Sequence, residues 1–147
     1  MKKYKDDLWD VSEIPSGTIL RDWFDEGVRI LVMRGPASMN VYLGIPKDHP
    51  LAGFDYDDLN VNCHGGLTFG SEGGKYWPKG YFWYGYDYAH LGDFTIFEEK
   101  GARDIQAEYD HSEDKKWTLR EIVDDSWEAI CDFKRLMKLA EKIKEKK

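Results

Sequence analysis

His64 stands beside Gly65 and Gly66, and Asp87, His90 and Asp93 follow at a spacing of three, so that both histidines, two carboxylates and a glycine pair fall in one 30-residue stretch. Imidazole and carboxylate together suit a divalent metal such as Zn, Mn or Fe. The spacing matches no strong metal motif. A histidine oriented by an aspartate can instead serve as general acid or base, with the Gly65 and Gly66 N–H groups facing an anion or oxyanion. No obvious nucleophile completes that arrangement, although Cys63 and Thr68 are near. A third reading is a pocket without chemistry. Gly65 and Gly66 would then supply backbone donors, and His64 and His90 would contact an anionic or carbonyl group. Asp87 and Asp93 would orient the histidines or accept from a base or ribose. Tyr84 and Tyr86 would stack on a ring if they face the pocket, as would Trp77, Tyr81, Trp83 and Tyr88. Arg29, Arg34, Lys75 and Lys79 would neutralise phosphates if they lie at its mouth.

Each of these residues also has an architectural explanation. A half-buried histidine hydrogen-bonds a carboxylate, an aspartate caps a tight turn, a glycine supplies a backbone angle, and strand aromatics pack across the sheet. Clustering alone favours a site. His49 and His111 sit in polar segments and read as solvated. Asp55, Asp57 and Asp58 form an acidic run that can bind calcium weakly but lacks EF-hand spacing, so a surface loop is the expectation.

The elements that must position the cluster follow from local pattern. Residues 1–17 read as an irregular arm whose few apolar side chains dock on the domain. Thr18 to Gly27 is ambiguous: Ile19, Leu20, Trp23 and Phe24 fall at helical spacing, and Gly27 suits a helix end. Val28–Arg34 and Val41–Ile45 read as a strand hairpin, the second strand stopped by Pro46. Pro46 to Asp58 reads as a surface excursion. Leu59 to Phe69 alternates and predicts a third strand, with Gly65–Gly66 as a bulge or a close backbone approach. Gly70 to Lys75 predicts a flexible turn and Tyr81 to Asp87 a fourth strand. Residues 95–116 read as mostly loop. Thr118 and Glu121 fit a capping box that opens a long amphipathic helix over 118–145. The expected architecture is α+β: an antiparallel sheet of about four or five strands with the C-terminal helix packed on one face, in one domain spanning 1–147. Trp127 and Leu139 lie off the helix's main apolar stripe and can serve a homo-oligomer contact.

Three pieces carry a resemblance. They are Tyr42 to Leu51 running on to Tyr56-Asp57-Asp58, His64-Gly65-Gly66-Leu67-Thr68-Phe69, and Tyr84-Gly85-Tyr86-Asp87-Tyr88-Ala89-His90-Leu91-Gly92-Asp93. Together they resemble a family of small uncharacterised proteins found in bacteria and their phages, over roughly residues 41–143. The family's third motif looks like Gly-Phe-Asp-Cys/Thr-Ala-His-Ala-Gly-Asp, so Tyr86, Tyr88 and Leu91 depart from it while Asp87, His90, Gly92 and Asp93 match. The resemblance implies a phage or prophage setting, and brings no established activity with it.

Composition narrows the partners. The 147 residues carry a formal charge of −7 with 41% hydrophobic and 15% aromatic content. From Asp132 onward seven basic residues face three acidic ones, a balance of +4 that leaves −11 on residues 1–131. So acidic a body repels duplex nucleic acid. The basic helix end favours the helix dipole and has that structural explanation first. Cys63 and Cys131 make neither a disulfide framework nor a CxxC signature. No apolar run is long enough to span a membrane, and Met-Lys-Lys-Tyr-Lys-Asp-Asp is no signal peptide. The expectation is a cytoplasmic protein of a bacterial host. It would bind a small, nucleotide-like ligand through His64, Gly65, Gly66, Thr68, Tyr84, Tyr86, Asp87, His90 and Asp93, so sequestering a signal of bacterial immunity. No cofactor is expected. The alternatives are a small hydrolase or metal-dependent enzyme using His64, Asp87, His90 and Asp93, with His64 and His90 as candidate catalytic groups, and an acidic inhibitor that binds a host protein.

Overall fold

The computed structural model describes residues 3–145, so Met1 and Lys2 of the expected arm, and Lys146 and Lys147 of the basic tail, lie outside it. Five antiparallel strands form one sheet: β1 (Ile19–Asp25), β2 (Val28–Arg34), β3 (Met39–Pro46), β4 (Phe69–Ser71) and β5 (Tyr81–Tyr86), in the order β1-β2-β3-β5-β4. Two α-helices follow, α1 (Lys100–Gln106) and α2 (Leu119–Glu145). The α+β fold is as the sequence pattern indicates, with the long helix across one sheet face.

Alternation decides which side chains meet that helix. Val28, Ile30 and Val32 of β2, Val41, Leu43 and Ile45 of β3, and Tyr84 and Tyr86 of β5 pack against Leu119, Ile122, Ala129, Ile130, Phe133 and Met137 of α2. The opposite face has its own small cluster of Leu31, Met33, Tyr42 and Trp83, roofed by Phe69 and Trp77. There, aromatic and glycine alternate across β3 and β5. Tyr42 is registered with Gly85, and Gly44 with Trp83. A Cβ on Gly44 would come within 2.5 Å of the Trp83 ring, and one on Gly85 within 2.5 Å of the Tyr42 ring. Each ring thus lies flat over the glycine opposite, which is how a sheet accepts two large aromatics side by side.

The capping box forms as expected. The Glu121 N–H donates to Thr118 Oγ1 at 3.2 Å and the Thr118 N–H to Glu121 Oε1 at 3.0 Å. The N-terminal arm docks through buried Val11 and accepts the N–H groups of Leu119 and Arg120 at the carbonyls of Leu8 and Asp6. These bonds satisfy donors that open every helix.

Several segments differ from expectation. Residues 19–25 are a strand rather than a short helix, because Glu26 (φ 45°) and Gly27 (φ 88°) form a two-residue hairpin turn in the left-handed region. Of the expected third strand only Phe69 pairs with β5, and the observed strand continues into Gly70 and Ser71, where a turn was expected. Upstream, Gly65 and Gly66 (φ 71° and 80°) close a tight turn in which the Gly66 N–H donates to the Cys63 carbonyl, so the chain turns away instead of bulging. Residues 59–64 instead lie against α2, where Asn62 donates its backbone N–H to Asp132 and its side chain to Glu128. The segment 95–116, expected as loop, holds α1. His49 and His111 are not simply solvated. His49 accepts the Leu51 N–H and reaches Glu141 of α2, and His111 lies between Asp114 and the Gln106 carbonyl. Asp55 caps a single 3₁₀ turn over Tyr56–Asp58, as a surface loop would.

Candidate functional site

The turn after β5 brings the sequence cluster together. Asp93 is 7% exposed and takes three N–H donors: His64 Nε2 at 2.7 Å, the His90 backbone at 3.0 Å and Trp117 Nε1 at 2.9 Å. A carboxylate can only accept, so the proton of His64 is on Nε2. The same turn is tied to the segment before α2, since the Phe94 N–H donates to the Lys115 carbonyl and the Lys115 N–H to the Gly92 carbonyl, both at 2.8 Å. Three stretches of the chain, at residues 64, 90–94 and 115–117, therefore meet at one carboxylate.

His64 is packed as firmly as it is bonded. Its ring stacks on Tyr88 at 4.4 Å and meets the edges of Trp117 and His90 at 5.1 and 5.5 Å. Tyr88 in turn donates its hydroxyl to Asp125 of α2 at 2.6 Å, and burial pushes that hydroxyl well above the ordinary tyrosine range. His90 lies over Gly65, where a Cβ would fall 2.1 Å from Nε2. Its Nε2 is 3.2 Å from Asp87 Oδ1, yet it makes no hydrogen bond because the approach is off-axis. Gly65 thus forms the floor beneath an imidazole. Gly66 has open space where a side chain would go.

Two expected ring-stacking residues are elsewhere. Tyr84 and Tyr86 face α2 and are fully buried. Tyr84 packs on Phe133 and donates its hydroxyl to the carbonyls of Leu51 and Phe54, and burial lifts its pKa to about 12. The Tyr86 hydroxyl is buried without a partner, and burial pushes its pKa upward. Two of the expected phosphate-neutralising residues are also occupied. Arg29 forms a two-pronged pair with Asp22 at 2.9 and 2.7 Å. Arg34 is wholly buried and donates to the carbonyls of Ile14, Gly35 and Ile96.

Beside the histidine cluster, on the sheet face away from α2, lies a polar recess of about 210 Å³ lined by Asn40, Tyr42, Thr68, Phe69, Tyr86 and Asp87. Asn40 Oδ1 accepts from Ser38, and Asn40 Nδ2 donates to the Tyr42 hydroxyl at 3.3 Å. Burial raises the Tyr42 hydroxyl above its ordinary value, and the negative charge of Asp87 adds to the effect. Asp87 holds the turn with one oxygen, accepting the Ala89 N–H at 3.1 Å. The Thr68 hydroxyl has no partner among the described residues. Asp87 is the shared wall of the recess and the histidine pair. Asn40 and Tyr42 were missed from the sequence, because only the β3–β5 register places them opposite the end of β5. Trp117 was missed because no local pattern links it to Asp93.

The chemistry open to this site is limited by its bonding. Asp93 spends both oxygens on N–H donors, and among the described residues no group of three or more His, Cys, Asp or Glu converges to hold a metal ion. Burial lifts the Cys63 thiol to about 12, so it supplies almost no thiolate near neutral pH. No described helix is long and apolar enough to cross a membrane. A scan against protein-family models, a search of curated proteins and a search of solved structures find no match to this chain.

Proposed function

We propose that the protein binds a small nucleoside- or nucleotide-like ligand, with its base or sugar seated in the recess beside Asp87. The recess itself carries this reading: about 210 Å³ walled by an amide, two hydroxyls and a carboxylate, with the Tyr42 and Phe69 rings beside them. A flat heterocycle with amino groups offers donors to Asp87 and donors or acceptors to Thr68 and Asn40, and an apolar face to the aromatic wall. His90, across Asp87, would meet whatever extends beyond the recess. The charge of −11 on residues 1–131 works against polyphosphates and favours ligands of low charge. In the phage or prophage setting implied by the sequence resemblance, binding without turnover would sequester a nucleotide signal of host immunity.

Native mass spectrometry after incubation with nucleosides, cyclic nucleotides and ADP-ribose-type compounds tests this directly. A ligand retained at unchanged mass, and lost in Thr68→Val, is the expected result. A bare spectrum across the panel sinks the proposal. A ligand converted in mass replaces it with an enzyme that uses His64 and His90.

A further inference from the structure

The recess beside Asp87 is small. Its volume of about 210 Å³ falls below the ~300–1,000 Å³ of sites that take up a drug-sized ligand. It therefore holds one ring system and leaves the rest of a nucleoside outside. Its walls are held in place. The Phe69 ring stacks on Trp77 at 5.4 Å and meets Tyr42 edge-on at 5.3 Å, and the Thr68 N–H donates to the Gly85 carbonyl at 2.9 Å.

A chain of hydrogen bonds sets the direction of the polar groups. Ser38 Oγ accepts the Tyr88 N–H at 3.2 Å and gives its own proton to Asn40 Oδ1 at 2.7 Å. That fixes the Asn40 amide with its nitrogen toward Tyr42, whose hydroxyl oxygen accepts from it at 3.3 Å. The Tyr42 proton is then left without an acceptor among the described residues, on a side chain that lines the recess. Burial raises this hydroxyl above its ordinary value, so it keeps the proton near neutral pH. Asp87 is the opposite case, because a carboxylate only accepts. Its Oδ1 takes the Ala89 N–H, and its Oδ2 takes no hydrogen bond among the described residues. The recess thus presents one directed donor and one accepting carboxylate, with the Thr68 hydroxyl free to act either way.

That pattern discriminates between bases. The edge of guanine runs carbonyl, ring N–H, amino N–H. Its oxygen can take the Tyr42 proton while its two adjacent N–H groups meet the carboxylate as a charge-assisted pair. Adenine and cytosine set a ring-nitrogen acceptor beside their amino group. Uracil sets a carbonyl on each side of its one N–H. Each of these three turns a lone pair toward the Asp87 charge, which repels it.

On the reading that the recess binds a nucleoside-like ligand, on which this rests, we propose that it selects guanine, with O6 accepting from Tyr42 and N1–H and N2–H donating to Asp87. Isothermal titration with guanosine, inosine, adenosine, cytidine and uridine tests it. Inosine lacks only the 2-amino group, so it binds about tenfold more weakly than guanosine, and the other three bind more weakly still. Asp87→Asn abolishes the difference between guanosine and inosine, because the amide presents its own donor to one of the two N–H groups. Tyr42→Phe weakens guanosine and inosine by a similar factor and preserves their ratio, because both carry the same carbonyl. The ranking of the five nucleosides needs only the wild-type chain, so it decides the matter whatever either substitution does to the fold. Adenosine, cytidine or uridine bound as tightly as guanosine overturns the choice of guanine and leaves the nucleoside site standing. A guanosine-to-inosine ratio that survives Asp87→Asn in a folded protein overturns it too. Silence across all five nucleosides also overturns it, and takes the nucleoside reading with it where the mass spectra are bare as well.

Discussion

Asp93 and Asp87 lie on one turn. Asp93 is 7% exposed and holds three N–H donors from three parts of the chain. Asp87 keeps 32% of its side chain in solvent, uses one oxygen for the local turn, and faces a recess. In sequence the two are equally suggestive. The structure separates them by their bonding: a carboxylate whose lone pairs are filled by the protein's own donors is architecture, and one with capacity left beside a cavity can serve a ligand. His64 falls on the Asp93 side, fixed by one hydrogen bond and three ring contacts.

The largest effect tests the architectural half. Asp93→Ala leaves Trp117 Nε1, His64 Nε2 and the His90 N–H without their acceptor. Unsatisfied buried donors cost about 1–3 kcal/mol each, so a loss of about 3 kcal/mol is expected, seen as a fall of about 10 °C in Tm and a lower urea midpoint. Asp93→Asn, which keeps one carbonyl acceptor, should fall between. A change under about 1 kcal/mol would mean that the convergence on Asp93 is incidental.

Gly65→Ala comes next. It forces a side chain into φ 71° and against His90 Nε2, for an expected cost of about 2 kcal/mol. His90→Ala removes the clash but not the backbone strain. In that background Gly65→Ala should cost about 1 kcal/mol. Equal costs in both backgrounds would show that the His90 ring simply moves aside.

These residues also mark how far the sequence could be read. The alternation of β2, β3 and β5 and the period of α2 are local, and each predicted its element. The hairpin at Glu26–Gly27 was hidden because its apolar residues also fit a helix, and only pairing with β2 decides between them. The Gly65–Gly66 turn was hidden because a bulge and a turn use the same residues. At the site, Asp87, His90 and Asp93 were legible as a cluster, while their division of labour was not. It depends on Trp117, Asn40 and Tyr42, brought in by packing and register over distances that no motif spans.

Asp87→Asn probes the functional half. The amide keeps an oxygen for the Ala89 N–H, so stability should change by less than about 0.5 kcal/mol. Binding of any ligand that donates to the carboxylate should weaken about tenfold, read by isothermal titration. If Asp87→Asn instead destabilised the protein as much as Asp93→Ala, the contrast between the two carboxylates would be lost.

Glu121 is the smallest and most discriminating case, because its carboxylate also accepts N–H bonds but stands in solvent. The Thr118 N–H, followed by Lys115, holds its carboxyl below the ordinary value of 4.5. A carboxyl lowered by folding contributes stability above its unfolded value and loses it as pH falls through the folded one. The difference between wild type and Glu121→Gln should therefore be largest near neutral pH and vanish in acid. Its size should be about 0.3–0.5 kcal/mol, because solvent screens an exposed helix-end charge, and urea midpoints across that range will measure it. A loss as large as that of Asp93→Ala would show that filled lone pairs alone make a carboxylate structural. The expected small loss would show that burial is the deciding factor, since it removes water as the alternative partner.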